Sequence, residues 1–301
     1  TTGAYASPTS AFLCDTAARW ELGATGSALQ PTWAQYTGGD TTTEVAITDT
    51  AVYVGGHYSY MNNPYIRDSV AAAAVPRESL SAHDPRTGTT LSWNPGRTRG
   101  YGVYGFHATD SGLWIGSDTD RISGDQYRGR IAFLPLAGGA QMPTEFVGTL
   151  PGQVVSLGLM QSVFGSTLDR TTSRNFTGTA VTASATANGT SSWRNLRGSF
   201  MIDGQLYTGW SDGTFKVQSY DGTTFGPQTT IPLQLVPGVS ASLNRFASED
   251  LAEITGMFYD RPTGRIYFTK SGSNQLHWRG FAPESRVVGA QRFSSATGAG
   301  G

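Results

Sequence analysis

The groups able to do chemistry in this 301-residue chain are few, and they gather in a small number of loops. Histidine occurs four times, at His57, His83, His107 and His277, and cysteine once, at Cys14. His57 opens a long polar loop, His57–Glu78, and is the best-placed general base; the other three histidines fall in or beside strand-like stretches and read as structural. Asp118-Thr119-Asp120, with Asp125 following, puts carboxylates two apart on a loop, which is how an oxygen-lined calcium site begins. The EF-hand spacing continues with Asp or Asn and then Gly, whereas this chain continues with Ile122 and Ser123, so an ordinary Asp-Thr turn stands beside the calcium reading. No other cofactor is expected. A glycosidase needs two carboxyl groups about 5.5 Å apart (retaining) or about 6.5–9.5 Å apart (inverting). Asp40, Glu44, Asp118, Asp212 and Glu253 lie at strand ends where a pair could converge, but their spacing does not pick one out. No nucleophile elbow, CxxC, HExxH or phosphate loop is expected.

Three loops concentrate the remaining candidates. His57–Glu78 carries His57, Tyr58, Tyr60, Asn62, Tyr65 and Arg67; Asn94–Tyr104 carries Arg97, Arg99 and Tyr101; Asp118–Arg128 carries Asp118, Asp120 and Arg121. Aromatic faces interleaved with Asn, Asp and Arg suit a surface that stacks on the apolar faces of sugars, or on a protein, and holds hydroxyls or carboxylates. The competing reading makes Arg97, Arg99, Asp118 and Asp120 structural ion pairs and turn contacts.

The elements that must position these loops repeat. Val52–Asn63, Leu113–Gly124, Leu206–Phe215 and Ile266–Gln275 each open with an aliphatic residue and an aromatic one: Tyr53, Trp114, Tyr207 and Tyr267. The separation is 61 residues from Tyr53 to Trp114 and 60 from Tyr207 to Tyr267, while the 93 between Trp114 and Tyr207 leave room for an insertion. Within the first unit, Glu44–Thr48, Ala51–Gly55, Leu80–Asp84 and Thr89–Trp93 read as four short antiparallel strands, with Pro85–Gly88 as a turn. The pattern predicts an all-β chain, a β-propeller of four-stranded antiparallel blades. Residues 1–293 would form it, as a partial blade over 1–37 and full blades over 43–95, 104–150, 198–233 and 254–293, five in all, followed by a linker-like tail, 294–301. In the partial blade, Ala18–Trp33 aligns with Ala82–Trp93 as strand three, turn, strand four, and Thr1–Tyr5 could be the tail of a second strand. The Ser/Thr/Ala-rich insertion, 157–193, reads as a hairpin, an extended loop or a connector.

Bulk composition narrows the partners. Thirty-nine glycines and 11% aromatic residues favour short strands and tight turns. A formal charge of −1 gives no electrostatic case for nucleic acid or an anionic membrane. No run of 18 apolar residues is present, so no helical membrane span is expected. One cysteine forms no intrachain disulfide, and Cys14 reads as a small buried hydrophobe.

From Phe12 to Phe293 the chain resembles a family of large secreted proteins of high-GC Gram-positive bacteria with propeller-type repeats of the Kelch-like, galactose-oxidase-like or delta type. The phrases that carry the likeness are Leu13–Glu21, Pro31–Asp40, Tyr53–His57, Trp93–Gly100 and Trp114–Asp120. The resemblance implies an extracellular or cell-surface protein, with further blades or modules of the same parent as neighbours. It implies no copper chemistry, because Cys14 and four scattered histidines do not match the Tyr, His and Tyr–Cys set of galactose oxidase. The expectation is a recognition scaffold for extracellular carbohydrate or surface protein; the alternatives are a glycan-active hydrolase or lyase using converging Asp/Glu, and a structural subunit of an extracellular assembly.

Overall fold

The computed structural model describes residues 15–26, 29, 31–63, 70–71, 73–98, 100–123, 126–135, 153–161, 167–177, 180–188, 195–221, 224–233 and 246–296, the three segments between 153 and 188 as backbone only. These residues form an all-β protein of small antiparallel sheets. An N-terminal pair, β1 (Thr16–Arg19) and β2 (Trp33–Tyr36), comes first. The first sheet holds β3 (Thr42–Ile47) and β4 (Val52–Gly56); a hairpin of β5 (Tyr60–Met61) and β6 (Val75–Pro76) rises from its long loop; β7 (Leu80–His83) completes it in the order β3-β4-β7. The second sheet repeats the plan. It starts with β8 (Val103–Thr109) and β9 (Gly112–Ser117), continues through a loop hairpin of β10 (Arg121–Ile122) and β11 (Gln126–Tyr127), and ends with β12 (Ile131–Pro135).

A three-stranded meander follows: β13 (Gln153–Gln161), β14 (Thr167–Thr177) and β15 (Ala180–Asn188). The segment expected to be a hairpin, loop or connector is therefore a sheet of its own. Its first strand carries Val154, Val155, Leu157 and Leu159, and β14 and β15, poor in large apolar residues, carry threonines whose β-branching favours extended backbone. The third sheet is a four-stranded meander of β16 (Leu196–Ile202), β17 (Gln205–Trp210), β18 (Phe215–Ser219) and β19 (Thr229–Thr230). Two helical turns, Phe246–Asp250 and Leu251–Glu253, lead into the last sheet. That sheet contains β20 (Ile254–Asp260), β21 (Arg265–Lys270), β22 (His277–Ala282) and two short strands on β22, β23 (Val287–Val288) and β24 (Phe293–Ser294).

Each aliphatic-aromatic phrase lies in the second strand of its sheet, and the turn residues explain the hairpins. Asp203-Gly204 sits at φ of 48° and 73° between β16 and β17, and Gly264 at 67° between β20 and β21, the left-handed values that tight hairpins demand. Two expected outer strands are broken. Thr89–Trp93 makes a single bridge, Thr90 to His83, because the Ser92 amide binds Glu284 and the Ser285 hydroxyl takes the Thr90 carbonyl. Arg286–Phe293 splits in two because the Arg279 guanidinium occupies the Gly289 and Ala290 carbonyls that would have continued the ladder. The expected strand Glu145–Leu150 and the segment Thr1–Tyr5 lie outside the described residues.

The core is divided between pairs of sheets. Tyr53, Leu80 and Ala82 of the first sheet pack with Val103, Leu113 and Ile115 of the second. Phe200, Tyr207 and Phe215 of the third pack with Ile266, Phe268 and Phe281 of the last. A Cβ on Gly55 would stand 2.8 Å from Phe106, so a larger residue there would push the first two sheets apart. The last sheet also reaches the first: Arg86 donates to the Arg261 carbonyl, and the Asn62 side chain donates to the Val288 carbonyl and accepts from the Ala290 amide.

Candidate functional site

The loops after β7 and β9 are fastened together around one buried cation. The Arg97 side chain has no exposed surface. Its guanidinium donates to Thr119 Oγ1 at 2.6 Å, to the Thr98 carbonyl at 2.9 Å, to the Gly56 carbonyl at 3.3 Å and to Asp118 Oδ1 at 3.4 Å. Asp118 in turn accepts the Tyr101 amide at 2.6 Å and the Gly102 amide at 3.1 Å. Burial pushes its carboxyl pKa up, but the two amides and Arg97 outweigh that and hold it below the ordinary carboxylate value. Gly100 is required here, since a Cβ would lie 2.3 Å from Asp118 Oδ2. Backbone bonds from Thr98 to the Arg121 carbonyl and from Ser123 to the Gly96 carbonyl close the seam.

This arrangement sorts the sequence-level candidates. Of the four residues in the ion-pair reading, Arg97 and Asp118 do pair with each other. Tyr58 is a correction: it is fully buried, donating to the Val54 carbonyl at 2.6 Å, because its ring fills the gap between β4 and the N-terminal pair. Asn62 is a second correction, a buried clasp between the β5–β6 hairpin and the last sheet. Tyr60 is half-buried on β5. Tyr101 is 82% exposed on the seam, and Asp120 and Arg121 are exposed beside it. Tyr65, Arg67, Arg99 and Asp125 lie outside the described residues. Of the calcium candidates, Asp118 accepts from Arg97 and two backbone amides, Asp120 is exposed, and Asp125 lies outside the described residues.

His57 stands apart from the rim set. Its Nδ1 lies 2.9 Å from Asp40 Oδ1, which also accepts the Thr41 amide. A carboxylate oxygen accepts here, so Nδ1 carries the proton of this bond. Asp40 was visible in the sequence as a lone carboxylate; its pairing across a turn was not.

Three features escaped the sequence reading. Tyr127 is 65% exposed on β11, directly opposite Arg121, so the loop hairpin adds a second ring to the rim that carries Tyr101. Gly209-Trp210-Ser211-Asp212-Gly213 does spell the nucleophile elbow. The elbow's mechanics need a helix after the serine, and here the pentapeptide is a β-hairpin turn leading into β18, with Asp212 accepting from the Thr214 amide and hydroxyl. Finally, Phe258, Tyr267, Trp278 and Phe293 stack side by side across the last sheet at centroid distances of 5.2, 5.8 and 5.9 Å.

No protein-family model matches the sequence, and no curated protein matches it. Among solved structures, the computationally designed Ika4 protein aligns at 11% identity over 77% of this chain and 86% of its own, with a TM-score of 0.20. The computationally designed Ika8 protein aligns at 12% identity over 85% of this chain and 62% of its own, with a TM-score of 0.19. At those scores neither likeness carries an argument.

Proposed function

We propose that the chain is an extracellular recognition scaffold of the propeller-repeat type, and that it binds carbohydrate on the rim formed by Asn94–Tyr104 and Asp118–Arg128. The observation that carries this reading is the pair of exposed rings, Tyr101 and Tyr127, on loops braced by the buried Arg97–Asp118 seam. Rigid, exposed aromatic faces lose little entropy on stacking against a sugar, and Asp120 and Arg121 beside them supply hydroxyl-directed hydrogen bonds. The propeller architecture is supported by a shared direction of packing. Tyr53 points from the first sheet to the second, and Tyr207 from the third to the last, so consecutive sheets stack with one sense. The likeness to secreted propeller-repeat proteins adds the extracellular setting. A hydrolase built on Asp118 is disfavoured because its carboxylate is already engaged.

The test is glycan-array binding followed by calorimetry on the best ligand. Tyr101→Ala and Tyr127→Ala should each weaken binding by roughly 1–3 kcal/mol while leaving the melting temperature unchanged, the usual scale for truncating an aromatic side chain in a binding surface. An array with no bound glycan, or a Tyr101→Ala/Tyr127→Ala double variant that binds as wild type, refutes the proposal.

A further inference from the structure

The last sheet carries aromatic rings on both faces, and one of those faces is open. Ile266, Phe268 and Phe281 point into the core shared with the third sheet. The alternate positions form one row across four strands: Phe258 lies opposite Tyr267, Tyr267 opposite Trp278, and Trp278 opposite Phe293. Phe258 is 52% exposed and the other three rings are half-buried. At their centroid distances the rings overlap only in part, which leaves a strip of each uncovered. Beyond Trp278 the same face meets a wall, since a Cβ on Gly280 would lie 2.4 Å from Thr89 Oγ1 in the segment that follows β7. The row is a ledge, closed along one edge by that segment.

Charge stands at the corner of this ledge. Arg265 lies opposite Asp260 on one side and Gly280 on the other. Its guanidinium turns to the rings, 5.9 Å from the Trp278 centroid, while Asp260 accepts the Thr263 hydroxyl. Among the described residues Arg265 has no carboxylate partner, and the Tyr267 hydroxyl and Trp278 Nε1 make no hydrogen bond. Polar groups taken out of water need partners, and a cation needs them most. A further apolar sheet, of the kind that covers Tyr53 or Tyr207, would strand the guanidinium and both aromatic tips. A complementary occupant brings negative charge for Arg265, oxygens for Tyr267 and Trp278, and C–H faces for the rings.

We propose that this ledge binds a linear acidic polysaccharide, a chain of uronic-acid rings laid along the aromatic row with one carboxylate on Arg265. Pyranose rings present C–H faces to aromatic rings and hydroxyls to their polar tips. An extended chain of them advances, per sugar, by about the spacing of the row. The planar guanidinium matches a carboxylate with two parallel hydrogen bonds. The rim that carries Tyr101 and Tyr127 shares no residue with the ledge, so the two readings stand or fall separately.

The probes are the tetramers of galacturonate and of mannuronate, titrated against the full chain by isothermal calorimetry at low salt, with cellotetraose as the uncharged counterpart. At least one acidic tetramer should bind saturably, more weakly as salt is added, and cellotetraose at least about tenfold more weakly. Arg265→Gln should weaken the acidic tetramer at least about tenfold, and Arg265→Lys should retain most of the binding. Phe258→Ser should weaken it at least about fivefold, whereas the Tyr101→Ala/Tyr127→Ala double variant should bind it as wild type does. Both ledge positions lie on an open face, so these variants should keep the wild-type melting temperature, and a melting curve identifies one that does not. No saturable binding of either acidic tetramer, equal binding by wild type and Arg265→Gln, or equal affinity for cellotetraose overturns the proposal. Equally tight binding of a tetraglutamate peptide overturns it too, since charge alone would then suffice. So does a dimer in sedimentation velocity that Phe258→Ser abolishes without any binding of the tetramers, because the occupant is then a second copy of the chain.

Discussion

Acidification should destabilise this protein well above the pH at which its carboxylates respond, through His83. The imidazole is fully buried on β7. Nδ1 lies 3.0 Å from the Gly88 carbonyl, which only accepts, so Nδ1 carries the proton and Nε2 accepts from the Ser81 hydroxyl at 2.7 Å. Ser81 is in turn 2.8 Å from the Tyr58 hydroxyl, and all three side chains are sealed from water. A second proton on His83 would put a charge in this cluster and remove the acceptor that Ser81 needs. Burial accordingly depresses the imidazole pKa from 6.5 to about 3, and nearby Arg77 opposes the charged form further. Between those two values the unfolded chain binds a proton that the folded chain does not, so stability falls as pH falls from 6.5 towards 3. At pH 4.5 the gap of two units below 6.5 corresponds to about 3 kcal/mol, a large share of the roughly 5–15 kcal/mol that holds a typical domain together. His277, also lowered by burial and then by Arg292, adds in the same direction. Urea denaturation at pH 7.5, 5.5 and 4.5 measures the loss, and His83→Gln isolates it, because glutamine takes up no proton in that range. The variant should start less stable but lose about 3 kcal/mol less than wild type between pH 7.5 and 4.5. Identical pH slopes in the two proteins would refute the assignment.

Two further perturbations test the packing. Asp250 has no exposed surface and holds Arg279 at 2.8 Å, Arg292 at 2.7 Å and Lys270 at 3.1 Å; although burial alone would raise its pKa, the two guanidinium groups keep it lowered, and Asp250→Ala, by stranding Arg279, should cost about 3–5 kcal/mol in the urea midpoint. Gly56→Ala should cost about 1–3 kcal/mol, because its Cβ would lie 2.2 Å from the Thr41 carbonyl, whereas Gly105→Ala, with nothing within 4 Å, should stay within about 0.5 kcal/mol; equal melting temperatures for the two variants would contradict the close approach at Gly56.

Much of the strand order was legible because it rests on local chemistry. The aliphatic-aromatic phrases, the Asp-Gly and Thr-Gly turns and the Pro85–Gly88 turn all mark positions where side-chain period and backbone conformation leave little choice. What failed was decided at a distance. Thr89–Trp93 has strand composition, yet its outer hydrogen bonds go to Glu284 and Ser285, some 190 residues away in sequence. Arg286–Phe293 reads as one strand until Arg279 takes two of its carbonyls. The same limit applied to the site. Tyr58 and Tyr101 have the same residue type and both sit in polar loops, but one is sealed under the N-terminal pair and the other faces water. Their opposite fates depend on which neighbouring sheet happens to lie above them.

The repeated aromatic therefore reports direction more than burial. Tyr53 and Tyr207 are 2% and 3% exposed, whereas Trp114 is 45% exposed and Tyr267 is half-buried against Phe258 and Trp278. All four occupy the same strand position and point away from the preceding sheet's side of their own sheet: Leu113 and Ile115, flanking Trp114, pack back on the first sheet, as Ile266 and Phe268, flanking Tyr267, pack back on the third. An aromatic in this phrase is covered when a described sheet follows on its outward side and open when none does. Unevenness among equivalent positions thus maps where the stack of sheets is interrupted. The exposed Val45 and Ile47 mark the same condition seen from the opposite side, on a sheet whose preceding neighbour has two strands among the described residues.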